Sequence, residues 1–229
     1  YIYSKNYAEI KEKLAKCKTE RQSSHQSSNT LLCDWLEIWL MSQGVLKPTT
    51  KRVYKSHIEN HINPQIGSIP LKKLNAEILQ NFINNLELSA STIKTVFSTL
   101  KSALAEAEDK GFITNVWSKV KLPKKDISIV RVLSVAEQQR LEKALSSTED
   151  IGILICLYTG LRIGELCALK WSDINLELSI MTVNGTQART EKGIEIISPK
   201  SKTSKREIPI PPFLLDKIRA IPQKGEFVI

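Results

Sequence analysis

The sequence predicts a two-domain protein in which an all-α helical bundle is followed by an α+β domain. Through about residue 121, apolar residues recur every three or four positions, as they do on amphipathic helices. Beyond Asp173 the period falls to two, which is typical of β-strands. A basic stretch, residues 122–130, connects the two patterns.

The bundle is predicted to span residues 31–121 and to begin with two helices. Apolar residues repeat every four positions over residues 31–40, which predicts one apolar stripe on the first helix. Pro48 lies in the first turn of the second helix, where proline is favoured. Pro64 together with Gly67 is predicted to close that helix.

The third predicted helix runs from about Asn75 to Leu86. Ser89 or Ser91 caps a fourth, whose apolar face continues until Gly111 stops it. Amphipathic helices joined by short connections form a small all-α bundle.

The second domain, residues 131–229, is predicted to open with helices and to continue with strands. Residues 134–137 form a Ser-x-x-Glu capping box, which starts a helix. The apolar run 151–158 predicts a helix that is buried on all sides, and Gly160 ends it. Arg162 then begins the next helix.

Strands are predicted for the last part of this domain. Residues 180–184 alternate in period two, so that Met181 and Val183 share one face. Two further strands, 194–198 and 206–210, flank a basic turn and are predicted to form a hairpin.

The two ends of the chain are distinctive. Residues 1–18 are lysine-rich and weakly helical, and residues 19–30 are typical of a polar linker. The chain starts with Tyr1 rather than Met, and residues 226–229 resemble the beginning of a strand. We therefore expect the chain to be a fragment of a longer protein.

The composition favours a polyanionic partner. Lys and Arg number 33 against 24 Asp and Glu, which gives a formal net charge of +9. Such a surplus favours DNA or RNA, because cations that meet phosphates release condensed counterions. The four cysteines form no C-x-x-C pair, which indicates reduced thiols in a cytoplasmic protein. The longest apolar stretch is too short to span a bilayer, so no membrane partner is expected.

No cofactor and no metal site are predicted. His57 and His61 stand four residues apart, but Ile58 lies where the H-E-x-x-H pattern of zinc proteases requires Glu. The sequence has neither a P-loop nor a dinucleotide-binding glycine motif. Its acidic residues show no spacing that identifies a magnesium site.

Two predicted helices collect basic and hydroxyl side chains on their polar faces. Such side chains suit phosphate contacts, which position a protein on a duplex without reading its sequence. A solvated helix face explains each of them individually as well. The candidate DNA-binding residues are Lys47, Thr49, Lys51, Arg52 and Lys55 on the second helix, and Lys94, Ser98 and Lys101 on the fourth.

Arg162 and Glu165 are the candidate catalytic pair. Arg162 starts a helix just after a glycine break, and Glu165 lies one turn on, where it can orient the guanidinium. A planar fork of donors suits a phosphate in a five-coordinate transition state. A structural Arg–Glu pair at a helix start is the alternative.

The motif around these residues resembles a known family. Y-T-G-L-R-x-x-E at residues 158–165, followed by residues 169–174, closely resembles the first active-site block of the tyrosine recombinases, the phage-integrase family. Residues 199–211 resemble that family's lysine-bearing β-hairpin. The bundle is similar to its SAM-like core-binding domain, and residues 1–18 resemble the tail of its arm-binding domain.

The resemblance implies a chemistry and roles for individual residues. In this family a tyrosine attacks a DNA phosphate and forms a 3′-phosphotyrosyl bond without metal or ATP. Arg162 matches the arginine that stabilises phosphorane charge, and Glu165 matches the acidic residue that supports the active-site network. Lys202 matches the hairpin lysine, the general acid toward the departing 5′ oxygen, with Lys200 and Lys205 as rivals by proximity.

The resemblance also implies a DNA partner and a catalytic domain that is incomplete in this chain. The family's His-x-x-Arg block and nucleophilic tyrosine do not occur before Ile229. We therefore expect an integrase-type catalytic domain that is incomplete at its C-terminus, so that the chain binds double-stranded attachment-site DNA without cutting it. The complete protein is expected to be a recombinase that integrates or excises a phage or mobile element, as a tetramer on DNA in the bacterial cytoplasm. The alternatives are a non-catalytic DNA-binding regulator with the same fold and a type IB topoisomerase.

Overall fold

The computed structural model describes residues 30–124, 130–145, 150–198 and 204–229. The chain divides into two compact units, Tyr1–Ser128 and Ile129–Ile229. The described part of the first is helical, and that of the second combines helices with small sheets, which confirms the predicted fold class. Among the helices of the described residues, none has the length and apolar character needed to cross a membrane.

Helices built from the predicted segments make up the first unit. Asn75 and Ser89 are the N-caps of the third and fourth predicted helices, and their side chains accept hydrogen bonds from the backbone N–H of Ile78 and Thr92 at 2.9 and 3.2 Å. The elements are α1 (Leu32–Ser42), α2 (Pro48–His57), a π-helical turn (Ile58–Ile62), α3 (Asn63–Ile66), a 3₁₀ turn (Leu71–Lys73), α4 (Ala76–Asn84) and α5 (Ala90–Asp109).

Pro64 does not close the second helix, contrary to the prediction. The helix runs through the π-helical turn into α3, where Pro64 lies within the first two positions, and only Gly67 ends it. The N–H of Asn63 donates to the carbonyl of Ile58, five residues back. This wider turn accommodates Pro64, which has no backbone N–H to donate and whose ring would crowd the preceding turn of an ordinary α-helix.

One hydrophobic core holds this unit together. Leu36 of α1, Phe82 of α4, and Leu100 and Leu104 of α5 are among its fully buried side chains. The indole N–H of Trp35 donates to the carbonyl of Ala103 at 2.9 Å, which ties α1 to α5. The apolar faces predicted from the four-residue spacing therefore meet in one interior.

The second unit contains the predicted helices and, in addition, one helix (Pro212–Arg219) and two strands (Ile174–Asn175 and Thr186–Thr190) that were not predicted. The capping box of Ser134 and Glu137 is present, and Gly160 ends the apolar helix with a φ of 66°, a left-handed conformation that glycine adopts without strain. The elements are α6 (Val135–Ala144), α7 (Ile151–Thr159), α8 (Ile163–Leu166), a 3₁₀ turn (Trp171–Asp173), β1 (Ile174–Asn175), β2 (Ile180–Val183), β3 (Thr186–Thr190), β4 (Gly193–Ile197), β5 (Arg206–Pro209) and α9 (Pro212–Arg219).

The predicted hairpin between β4 and β5 is wrong. β4 pairs with β3, one of the two strands that were not predicted, from Thr186 opposite Ile197 to Thr190 opposite Gly193. β5 pairs instead with β2, in a three-stranded antiparallel sheet of order β1-β2-β5. The short turn between β3 and β4 lets these neighbours pair with little loss of chain entropy, which leaves β5 to pair with the more distant β2.

The core of this unit lies between the three-stranded sheet and helices α7 and α9. Met181 and Val183 are buried on one face of β2, as the alternation predicted. Ile155 of α7 and Leu214 of α9 are fully buried beside them. α7 is not buried on all sides, because the side chain of Ile153 is 47% exposed.

Candidate active site and nucleic-acid surface

Arg162 and Glu165 lie together at the start of α8, joined by two hydrogen bonds. Arg162 is the N-cap residue, in an extended conformation, and its backbone N–H donates to Oε2 of Glu165 at 3.1 Å. Its Nη1 donates to Oε1 of the same carboxylate at 2.9 Å. The predicted contact, in which Glu165 orients the guanidinium, is present.

A second arginine, which the sequence did not predict, completes the cluster. Arg206, the first residue of β5, donates through Nη2 to Oε2 of Glu165 at 2.9 Å and through Nη1 to Oε1 at 3.3 Å. It lies 41 residues from Glu165 in sequence, so no helical spacing links the two. The only available signal in the sequence was its position beside the basic turn, at the end of the K-T-S-x-R stretch formed by residues 202–206.

Burial and charge distinguish the three side chains. Glu165 is 6% exposed, whereas Arg206 is 31% and Arg162 is 75% exposed. Hydrogen bonds from Arg206 are the main reason that the pKa of the Glu165 carboxyl falls to about 2, with those from Arg162 adding to the effect. The cluster therefore carries two cations and one ionised carboxylate at neutral pH, and the outer cation faces solvent.

Gly164 allows the β3–β4 hairpin to approach α8 closely. A Cβ atom at this position would lie 2.6 Å from Oγ1 of Thr186 and 2.8 Å from the carbonyl oxygen of Gln187. The backbone of β3 thus packs directly against the helix turn that holds Arg162 and Glu165. A larger residue at this position would force the hairpin and the turn apart.

The lysine candidates are only partly described. Lys202 and Lys200 lie outside the described residues, so their placement relative to Arg162 stays a prediction. Lys205 is described and exposed, next to Arg206.

The predicted DNA-binding residues lie on the surface of the helical unit, and all are exposed or half-buried. Lys94, Ser98 and Lys101 of α5 line a groove of about 340 Å³ whose other side includes Trp117 and Leu122. The remaining candidates follow α2 from its N-cap: Lys47, Thr49, Lys51, Arg52 and Lys55. Their role in DNA binding stays a prediction.

His57 is engaged in a contact between helices. Its Nδ1 lies 2.8 Å from Oγ1 of Thr99, a buried residue of α5. Burial, and then the charge of nearby His61, lower the pKa of the His57 imidazole. Within the described residues, no group of three or more His, Cys, Asp or Glu side chains could hold a metal ion.

A helical bundle followed by an α+β unit with a buried glutamate between two arginines defines an integrase-type architecture, and comparisons with known proteins agree. The model for the phage integrase N-terminal SAM-like domain matches residues 31–87, and that for the phage integrase family matches residues 128–224. The chain belongs to the phage integrase family, the tyrosine recombinases.

Individual relatives share the sequence at moderate identity. A "Tyrosine recombinase XerC-like" protein of Caldanaerobacter subterraneus is 28% identical over 212 residues, which cover 82% of this chain and 53% of the relative. The integrase of Staphylococcus phage L54a is 27% identical over 201 residues, covering 77% of this chain and 56% of that protein. The chain thus spans about half the length of the curated relatives it matches.

Solved structures share the fold. The Tn1549 transposon integrase in complex with a circular intermediate DNA matches with a TM-score of 0.75 at 21% identity, covering 86% of this chain and 67% of that chain. A lambda integrase tetramer bound to a Holliday junction matches with a TM-score of 0.70 at 20% identity, covering 100% of this chain and 71% of that chain.

Proposed function

We propose that this chain provides the DNA-binding unit and the first part of the catalytic site of a site-specific DNA recombinase. The complete protein cuts and rejoins duplex DNA through a 3′-phosphotyrosyl intermediate, for integration or excision of a phage or mobile element. The observation that carries the proposal is an exposed guanidinium, that of Arg162, held in place by a buried, ionised Glu165.

The geometry of this cluster suits a phosphate whose charge increases during the reaction. Glu165 accepts from the backbone N–H and from one guanidinium nitrogen of Arg162, which restrains the side chain before substrate binds. The Arg162 side chain as a whole is 75% exposed to solvent. A preorganised donor fork of this kind stabilises phosphorane oxygens without reorganisation during the reaction.

The ligand that we propose is double-stranded attachment-site DNA. The basic side chains along α2 and α5 supply phosphate contacts that set the position of the helical unit on the duplex. We further propose that the complete protein acts as a tetramer on DNA, in the cytoplasm of a bacterial host. The relatives' names and the DNA complexes of the fold neighbours support this proposal.

DNA binding is tested by titrating the chain into a labelled duplex of random sequence across a salt series. Each phosphate that the protein neutralises adds about 0.9 to the slope of log affinity against log salt. The double variant Lys51→Ala/Lys55→Ala should therefore lower the slope by about 1.8. Lys72→Ala/Lys73→Ala, at the 3₁₀ turn, removes the same charge outside the candidate residues and should leave the slope unchanged. Equal slopes for the two double variants would contradict the proposed surface.

Catalysis is tested in the longer protein that carries the remaining family blocks. Arg162→Ala should reduce strand cleavage by at least about a hundredfold, since one preorganised donor to a transition-state oxyanion is worth that much. Lys202→Ala should slow cleavage severely as well. If cleavage kept its rate in Lys202→Ala and Lys200→Ala abolished it, the assignment of the general acid would be wrong.

A further inference from the structure

Arg206 connects three parts of the second unit. Its guanidinium donates two hydrogen bonds to Glu165 of α8, at 2.9 and 3.3 Å, and one to the carbonyl of Ser204 at 3.3 Å. Its backbone lies opposite Val183 in the pairing of β5 with β2. The arginine thus joins the sheet to the helix turn that begins at Arg162.

The carboxylate of Glu165 is shared unequally between its two arginines. Arg206 takes both oxygens with a two-armed contact, whereas the side chain of Arg162 reaches only Oε1. A carboxylate offers about four acceptor sites, and these contacts together with the backbone N–H of Arg162 use about that number. A two-armed contact between Glu165 and Arg162 is therefore blocked while Arg206 is in place.

We propose that Arg206 is a positioning residue that keeps the donors of Arg162 available for a DNA phosphate. Without Arg206, the buried carboxylate of Glu165 would have Arg162 as its cationic partner in this cluster, and a buried charge favours the fullest pairing it can reach. Arg162 would then turn both arms toward Glu165 and have fewer donors facing solvent. The inference rests on the proposed function, because it assigns the phosphate contact to Arg162.

The test is a double-mutant cycle on duplex affinity. Arg162→Ala and Arg206→Ala should each weaken binding of the chain to a random-sequence duplex at low salt by about tenfold, the equivalent of one charged contact. The double variant should also lose about tenfold, because Arg206 acts through Arg162. Arg219→Ala, a half-exposed arginine on α9 of the same unit, is the matched control and should bind like the wild type.

A loss of about a hundredfold in the double variant would overturn the proposal, since Arg206 would then contact DNA on its own account. If Arg206→Ala fails to fold, Arg206→Lys provides the second variant. It keeps the charge but lacks the two-armed geometry, so a smaller loss is expected that again disappears in the Arg162→Ala background.

A measurement without DNA separates this inference from the proposed function. Rotation of the Arg162 guanidinium about its Nε–Cζ bond, followed by NMR in the free chain, should slow in Arg206→Ala because both arms become engaged by Glu165. Unchanged rotation would overturn the inference. If Arg162→Ala binds the duplex like the wild type while rotation still slows in Arg206→Ala, the phosphate contact assigned to Arg162 is wrong and the role of Arg206 in restraining that side chain stands.

Discussion

Replacing Glu165 with Gln should remove a specific dependence of stability on pH. The carboxyl has a pKa of about 2 in the folded unit against an ordinary value of 4.5. A pKa lowered by folding contributes stability that is fully present above the unfolded value and is lost as the pH falls toward the folded one. The loss therefore falls between about pH 5 and pH 2, and by pH 3 it amounts to about 2 kcal/mol.

Urea unfolding at pH 7 and pH 3 measures this dependence. Trp171 is the one tryptophan in the sequence of the second unit, so its indole NMR signal follows that unit separately. The fall in unfolding free energy between the two pH values should be about 2 kcal/mol smaller in Glu165→Gln than in the wild type.

The matched control for this experiment is Glu226→Gln. Glu226 forms a surface ion pair with Lys170 and is 63% exposed. The fall in unfolding free energy of Glu226→Gln between pH 7 and pH 3 should therefore differ from that of the wild type by less than about 1 kcal/mol. If Glu165→Gln loses as much stability as the wild type between pH 7 and pH 3, the buried cluster is not the acid-sensitive group that its geometry indicates.

Three further substitutions test the packing that supports the candidate active site in the second unit and the candidate DNA-binding surface of the first. Gly164→Ala should destabilise the second unit by about 1–3 kcal/mol in urea unfolding, because the new methyl group meets the backbone of β3; an unchanged midpoint would show that β3 does not lie against α8. Gln80→Ala removes the side chain that pairs with both backbone groups of Lys121, so amide hydrogen exchange at Lys121 should accelerate by about tenfold, and a constant rate would refute that contact. Leu104→Ala, in the centre of the first unit, should cost about 2–5 kcal/mol in urea unfolding of that unit, and a loss below about 1 kcal/mol would be incompatible with its complete burial.

The parts of the structure that the sequence predicted correctly depend on local relations. Asn75 and Ser89 cap helices through side chains that reach only three residues ahead. Arg162 and Glu165 are also three residues apart, so the geometry of one helix turn brings them together. Such relations are visible as spacing because the backbone conformation alone determines the distance.

The parts that were missed depend on pairing between distant segments. β3, Thr186–Thr190, is polar and shows no apolar alternation, because its neighbour β4 is an exposed strand of a two-stranded sheet. The true partner of β5 is β2, and only that pairing brings Arg206 to Glu165. Spacing could not reveal Arg206, since its position depends on which strands pair.

Arg206 also bears on the question that the sequence left open, whether Arg162 and Glu165 form a structural ion pair or an anion site. A structural pair would balance one cation against one carboxylate. Here one ionised carboxylate is paired with two arginines, so the cluster keeps a net positive charge. The surplus is located on Arg162, the more exposed of the two, whose carboxylate partner is already occupied by Arg206. An exposed ion pair adds little to stability, so stability alone does not explain why Arg162 is kept in water beside a carboxylate that Arg206 already neutralises. An anionic ligand, in contrast, gains from the charge of Arg162 and from the fixed position of its guanidinium.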